Sequence, residues 1–300
     1  MKNVLVLLAT YNGEKYLRCQ IDSILNQKDV NVSILASDDL SKDSTPEILE
    51  EYKNKYSNFN YYINKMNKNF TYNFIDLIFA ANKIMGEFDF YAFSDQDDFW
   101  EEDKLINAIK HLETDKPKLY MSNLKIVNED LEFDGKYMED DSIDKCNKGN
   151  FIFENICTGC TAVYNNAFQK RILEYYPSEI KYHDYWVFLL AAYTAEYYYD
   201  DASYIKYRQH SSQQVGENHG KSFSAFYKKW KESESHQARL CEEVLNGYKQ
   251  YISQDDYIAL NLMANYKKKF KYKWKLMWSK KYRRRNHNLF KRIKLLFNKY

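Results

Sequence analysis

Phe88-Asp89-Phe90-Tyr91-Ala92-Phe93-Ser94-Asp95-Gln96-Asp97-Asp98-Phe99-Trp100 decides how the rest of the chain is read. A largely apolar run of strand length ends in three carboxylates within four positions. Acids this close repel one another and shift each other's pKa unless a cation or hydrogen bonds compensate, which points to a hard divalent ion held by oxygen ligands. Mg²⁺ or Mn²⁺ bound by one or two carboxylates completes its shell with substrate phosphates. The other reading is a solvated acidic turn capping a helix that begins near Glu101. The neighbouring segments decide between the two.

Upstream, Val4 to Ala9 and Val32 to Ser37 are short, β-branched and almost wholly apolar, the pattern of strands covered on both faces. Between them Tyr16, Leu17, Ile21, Ile24 and Leu25 recur at helical spacing, and Ser44-Thr45-Pro46-Glu47 opens a second helix with a capping hydroxyl and an early proline. A strand near Phe59 to Ile63, a helix from about Tyr72 to Met85, the strand ending at Ser94, a helix over Lys104 to Leu112 and a strand over Leu119 to Val127 continue the alternation. Strand and helix in alternation are the signature of an α/β chain. Order resumes with Cys157 to Tyr164, a helix from about His183 to Ala195 and a strand from Tyr197 to Tyr207. From Ser222 onward the pattern is helical.

Open α/β sheets bind ligands beyond the carboxyl ends of their strands. Thr10-Tyr11-Asn12-Gly13-Glu14 follows the first strand, Asp38-Asp39 the second and the acid cluster a later one. Three polar motifs at three strand ends define one candidate crevice.

The 300 residues are 45% hydrophobic with only 3 Pro and 8 Gly, enough apolar material for one large or two modest domains and unlike a disordered chain. Five cysteines, odd in number and with no signal peptide ahead of them, fit a reducing cytoplasm. Cys157-Thr158-Gly159-Cys160 has redox or zinc spacing but no second pair or nearby histidine to complete it. No apolar run is long enough to cross a bilayer. The net charge of +2 hides an asymmetry: 15 of the 44 basic residues lie from Lys267 onward, and all 42 acidic ones lie at or before Asp256.

Taken in order, these motifs resemble the family 2 glycosyltransferases over residues 3 to about 216. The resemblance implies a GT-A fold, a mixed sheet flanked by helices that binds a nucleotide-diphospho-sugar. Val6 to Asn12 resembles the opening strand and turn, Ser37 to Thr45 the second strand end, and Asp95-Gln96-Asp97 the D-x-D element. Thr158-Gly159-Cys160 resembles the acceptor-side glycine turn, His183-Asp184-Tyr185-Trp186 the catalytic-base segment, and Tyr207-Arg208-Gln209-His210 the closing strand. In form the motifs are most similar to bacterial rhamnosyltransferase-like enzymes of surface-polysaccharide assembly. Leu40 departs from the family by standing where Gly is usual, and Asn69 stands where Gly often follows the third strand.

The resemblance implies a role for each motif residue. Asp97 is a metal ligand for Mn²⁺ or Mg²⁺, with His210 completing the shell unless it is a loop histidine bonded to backbone. Asp95 holds ribose hydroxyls or the metal through water, and Asp98 contacts the sugar or lies just behind the metal. Thr10 joins the nucleotide-sugar site. Tyr11 and Asp39 recognise uracil or thymine, Tyr11 alternatively being core packing, while Asp38 turns back as a local cap. Glu14 either bonds the ribose or starts its helix. Asp184 is the general base of an inverting transfer or, on the bland reading, a helix cap. Gly159, Tyr185 and Trp186 face the acceptor, and Trp100 is an acceptor platform or a core anchor.

These assignments make residues 1–220 the catalytic domain and 221–300 a helical extension with a basic tail. The tail interleaves cations with Phe270, Trp274, Trp278, Ile293 and Phe297, the composition of an interfacial helix on anionic lipid, so the protein is expected at the inner face of the cell membrane. A merely solvated basic helix is the alternative. Nucleic acid is disfavoured, because residues 1–266 carry 29 basic against 42 acidic residues. Removing 267–300 is expected to leave activity on a soluble acceptor. The expected partners are a UDP- or dTDP-sugar donor and a glycan or polyprenyl-linked acceptor. The rival reading is a non-catalytic nucleotide-sugar-binding scaffold of the same fold.

Overall fold

The computed structural model describes residues 1–138, 146–210, 236–285 and 287–300. In chain order the strands are β1 (Lys2–Thr10), β2 (Val30–Asp38), β3 (Phe59–Ile63), β4 (Phe90–Ser94), β5 (Phe99–Trp100), β6 (Lys118–Val127), β7 (Phe133–Tyr137), β8 (Val163–Asn165) and β9 (Glu196–Arg208). The helices are α1 (Leu17–Leu25), α2 (Thr45–Lys55), α3 (Asn69–Met85), α4 (Lys104–Lys110), α5 (Lys148–Phe151), α6 (Asn166–Ile172), α7 (His183–Thr194), α8 (His236–Tyr248), α9 (Gln254–Ala264), α10 (Phe270–Trp278) and α11 (Asn288–Leu296).

One sheet runs β3-β2-β1-β4-β8-β6-β9-β5, with β7 paired to β6. Strands β1 to β4 are mutually parallel, as their continuous apolar runs require, since helices cover both faces. Beyond β4 the sheet is mixed, because β8 lies antiparallel to both β4 and β6. Short β5 lies antiparallel to β9. Parallel pairing brings the carboxyl ends of β1, β2 and β4 to one edge. Thr10 stands beside Asp38, and β4 stops at Ser94 opposite Leu8.

Two apolar cores lie on the two faces of the sheet. One packs Val4, Val6, Ile34, Ala92 and Trp100 with α1, α2 and α4, and the other packs Leu5, Tyr91, Phe93 and Trp186 with α3 and α7. The second core continues into the C-terminal helices through Leu240, Val244, Leu260, Met263, Leu276, Leu295 and Tyr300. The expected boundary at 220 lies outside the described residues, and the helices beyond it share a core with the sheet.

That packing corrects the expectation of a removable tail. Leu276, Leu295 and Tyr300 are buried. The Lys291 ammonium donates to the carbonyls of Leu276 (3.0 Å) and Tyr282 (2.7 Å), and the Tyr266 hydroxyl donates to the Tyr300 carbonyl (2.9 Å). Basic composition concealed a docked face, because long cationic side chains bury their stems while apolar residues between them reach the core.

Candidate functional site

The polar strand ends open onto a pocket of about 420 Å³. Asp39, Asp95, Asp97, Asp184, His183, Gly159 and His210 line it together with Thr10, Tyr11, Phe70 and Tyr182. Segments separated by up to two hundred residues in sequence thus meet at one cavity.

The D-x-D turn is locked by its middle residue. Gln96 accepts from the Tyr11 N–H (2.8 Å) and donates to the Tyr11 carbonyl (3.0 Å), so its amide pairs with the backbone after β1 like an additional strand residue. Gly13 is required beneath this clamp, since a Cβ there would overlap the Gln96 amide. Sequence reading missed Gln96, because an amide between two acids looks like filler.

Asp97 Oδ2 lies 2.8 Å from His210 Nε2, and both side chains are mostly buried. Arg208, at the end of β9, fixes this pairing from the closing strand. Its Nε donates to the Asp97 carbonyl (2.8 Å), a second nitrogen bonds the Glu129 carbonyl, and its guanidinium stacks on Tyr16 at 4.5 Å. Burial first, then the charges of Asp97 and Asp184, push the Asp95 carboxyl up to about 7. A cation beside Asp95 and Asp97 would relieve the repulsion between these two carboxylates. The hard oxygens of Asp97, with Asp95 beside them, fit Mn²⁺ or Mg²⁺, whereas an imidazole such as that of His210 suits a transition ion like Mn²⁺ better than Mg²⁺.

Asp98 is fully buried and does not line the pocket, so it cannot contact a donor sugar directly. Its Oδ1 accepts from the Arg208 N–H (3.3 Å), its Oδ2 has no hydrogen-bond partner, and burial followed by Asp97 and Asp95 drives its pKa up. Asp95, Asp98 and Cys160 have ligand atoms within 4.8 Å of one another. Burial holds the Cys160 thiol protonated, which makes that trio a poor cation site. Behind Asp98 lies Lys104, buried, with its ammonium 3.7 Å over the Trp100 ring and its pKa lowered to about 7 by burial. Trp100 is therefore a core anchor and not an acceptor platform.

At the second strand end, Asp38 caps its turn, accepting from Thr10 Oγ1 (2.9 Å) and the Ser41 N–H (2.9 Å). Thr10 is thereby committed to the scaffold while lining the pocket floor. Asp39 accepts from the Lys68 N–H (2.8 Å) and Asn64 Nδ2 (3.0 Å) and lines the pocket. Leu40 and Asn69 take left-handed backbone angles (φ 69° and 66°), so both positions keep the glycine-type turn without glycine. Glu14 is exposed, outside the pocket, and accepts from the Ser44 N–H (2.9 Å) ahead of α2. It ties its turn to the start of α2, and it neither caps its own helix α1 nor lines the pocket.

Asp184 is the second residue of α7. Its Oδ1 accepts from the Tyr185 N–H (2.7 Å) and its Oδ2 from Asn155 Nδ2 (3.1 Å). Burial outweighs these bonds and raises its pKa to about 6. Tyr185 and Trp186 are turned away: Trp186 is enclosed in the core and the Tyr185 hydroxyl donates to the Phe151 carbonyl (2.7 Å). Successive helical residues rotate by about 100°, so with Asp184 facing the pocket the next two positions cannot. Tyr182 and Phe70, ring centroids 6.1 Å apart, supply the aromatic wall instead.

His183 lines the pocket, stacks on Phe74 at 4.0 Å and has no hydrogen bond to either ring nitrogen. Burial lowers its pKa to about 3, so the imidazole is neutral. Gly159 makes room for it, since a Cβ would lie 2.9 Å from His183 Nε2 and 3.4 Å from Asp184 Cβ. Cys157 and Cys160 are free buried thiols, in keeping with a structural CxxC.

A Rossmann-like parallel half joined to a mixed half, with acids gathered at the strand ends, defines a GT-A sugar-nucleotide enzyme. Residues 5–173 match the model of Glycosyl transferase family 2, and the chain belongs to that family. It is 35% identical over 232 residues to the dTDP-rhamnosyl transferase RfbG of Shigella flexneri, covering 74% of this chain and 77% of that protein. It is 29% identical over 126 residues to the UDP-Glc:alpha-D-GlcNAc-diphosphoundecaprenol beta-1,3-glucosyltransferase WfaP of Escherichia coli, covering 42% of this chain and 47% of that protein. Among solved structures, S. aureus TarS 1–349 in complex with UDP-GlcNAc superposes with a TM-score of 0.60 at 21% identity, over 88% of this chain and 72% of that one.

Proposed function

We propose that this glycosyltransferase is metal-dependent and inverting, and that it moves a sugar from a dTDP- or UDP-sugar, dTDP-rhamnose first among them, to a glycan acceptor carried on a polyprenyl lipid in cell-surface polysaccharide synthesis. The observation that carries the reading is that Asp95, the Asp97–His210 pair and Asp184 all face one pocket. The likeness to a dTDP-rhamnosyl transferase supports the donor, and the name of the diphosphoundecaprenol-dependent relative supports the acceptor.

In this reading Asp97 and His210 hold the divalent cation, which neutralises charge on the departing nucleoside diphosphate. Tyr11 and Asp39 bind the nucleobase end, and Asp95 holds the ribose or the cation's water. Asp184 accepts the proton of the acceptor hydroxyl as its oxygen bonds to the anomeric carbon and the bond from that carbon to the phosphate oxygen breaks. Neutral His183, its ring nitrogens buried, shapes the pocket wall beside Asp184 without competing for the proton. The exposed Phe270, Trp274 and Trp278 of α10, with Leu289, Leu296 and Phe297 in and just after α11, are set among cations and support a location at the inner face of the membrane, where such an acceptor would reside.

The test is a donor screen across dTDP- and UDP-sugars, reading hydrolysis and thermal shift with and without Mn²⁺. One donor should stand out and depend on the metal. Equal binding of every donor irrespective of metal would refute the reading.

A further inference from the structure

A second groove, of about 910 Å³, lies between the start of α3, the loop before α7 and the C-terminal helices. It shares Phe70 with the catalytic pocket. Its loop segment also runs directly into Tyr182 and His183 on the pocket wall. The two cavities are therefore neighbours on the aromatic side of Asp184.

The groove is lined by Lys181, Arg239, Lys267, Lys268 and Lys299, against the carboxylates of Glu179 and Glu242. Arg239 pairs with both acids at 3.3 Å. Lys267 and Lys268 make no ion pair among the described residues, although they stand at the end of α9 facing the same cleft. Burial, then the nearby charges of Arg239 and Lys299, lowers the Lys267 pKa. Several cations lining one cleft, with Lys267 and Lys268 unpaired among the described residues, form a site that a multivalent anion stabilises.

Lys267 and Lys268 lead directly into α10, whose Phe270, Trp274 and Trp278 are 73%, 54% and 51% exposed and succeed one another on one face. The surface thus presents, in order, an exposed apolar ladder, a cationic groove and the catalytic pocket. A lipid chain, a diphosphate and a sugar joined in that order would meet these three features in turn.

We propose that this groove binds the diphosphate of an acceptor in which a diphosphate ester joins an apolar chain to the sugar being extended. The inference rests on the glycosyl-transfer reading above for the identity of the sugar end only. Lys267 and Lys268 act as anion-binding residues that set acceptor position and take no part in the chemistry at the anomeric carbon.

The experiment uses the full chain in EDTA, so that diphosphate cannot bind through a metal at the catalytic pocket. Inorganic pyrophosphate, inorganic phosphate, farnesyl diphosphate and phosphatidylglycerol vesicles are titrated into the wild type, Lys267→Glu/Lys268→Glu and Lys267→Ala. Pyrophosphate and farnesyl diphosphate should bind more tightly than phosphate, and the double reversal should weaken both by about tenfold or more, with Lys267→Ala intermediate. Unchanged affinity in the double variant, with an unchanged melting temperature, overturns the proposal. So does binding of vesicles without either soluble diphosphate, which would make the cations a headgroup site. With metal restored, the KM for an alkyl-diphosphate-linked sugar should rise in the variant while that for the same sugar on a neutral alkyl chain does not. Parallel loss for both acceptors overturns the assignment. Donor hydrolysis without acceptor reads the catalytic reading separately, so its failure and the failure of the groove are told apart.

Discussion

Asp184→Asn should do two things that rarely go together: abolish most of the turnover and stabilise the fold. The wild-type carboxyl is raised from 3.8 to about 6, chiefly by burial. The folded protein therefore holds this proton more tightly than the unfolded chain, and stability declines as pH rises from about 4 to 6 and stays lowered above that. Two units at 1.36 kcal/mol each set an upper limit of about 3 kcal/mol, reduced because the side chain is only partly buried. Asparagine removes that penalty and can still accept from the Tyr185 N–H. It also sets its amide against Asn155, whose Nδ2 donates to Asp184 and whose Oδ1 is already engaged by the Cys157 N–H, at a cost of about 1 kcal/mol. A net gain of about 1 kcal/mol at pH 7.5 follows, or roughly 2 °C in Tm, and it should vanish at pH 4. Loss of the base should lower turnover by about 10²–10⁴-fold. In the wild type, kcat/KM should fall tenfold per pH unit below about 6, since only the ionised carboxylate accepts the proton. Melting in EDTA at the two pH values, nucleotide binding by calorimetry and transfer to a verified acceptor check each part. Near-normal turnover in the variant would place the base elsewhere, and a lower Tm at pH 7.5 would show that the carboxylate stabilises the start of α7 more than burial penalises it.

Asp97→Asn should eliminate metal-dependent donor binding with little loss of stability, and His210→Ala should weaken it less; equal donor affinity with and without Mn²⁺ in the wild type would remove the metal role, as read by calorimetry. Gly159→Ala should destabilise by about 1–3 kcal/mol, because His183 is wedged between that glycine and Phe74, and should lower turnover by about tenfold or more through displacement of Asp184. Unchanged kinetics would show that the loop yields instead. Trp274→Glu/Trp278→Glu should release the protein from anionic vesicles in co-sedimentation while leaving its melting temperature within about 1 °C, because both rings are half exposed. Equal pelleting of variant and wild type would remove the membrane surface.

The parallel half of the sheet was legible because burial on both faces leaves a nearly pure apolar signature, and the acids at its strand ends stand out against it. Asp95, Asp97, Asp184 and His210 were brought together as their motifs implied. What sequence reading misplaced depended on direction rather than position. Tyr185 and Trp186 share a motif with Asp184, yet the rotation of α7 carries them into the core, while Tyr182, just ahead of the helix, reaches the pocket. Trp100 lies two residues past the acids on a short strand against β9, where its ring covers buried Lys104. Gln96, His183 and Arg208 serve through backbone carbonyls, ring stacking and orphaned nitrogens, none of which leaves a mark in composition.

The tail shows why composition alone misled about its removal. Phe270, Trp274 and Trp278 recur every four residues and stay exposed, whereas Leu276, midway between the last two and so on another side of the same helix, is fully buried. One helix thus carries two apolar faces separated by lysines, one docked on the protein and one facing out. The neighbouring helix repeats the division, with Leu295 buried and Leu289, Ile293 and Leu296 exposed to different degrees. Truncation at 267 would remove both faces and expose the core around Tyr266, so loss of activity in that variant would say nothing about a membrane. Substituting the outward tryptophans leaves Leu276, Leu295 and the Lys291 hydrogen bonds in place, and only that perturbation separates what the tail does for the fold from what it does at a surface.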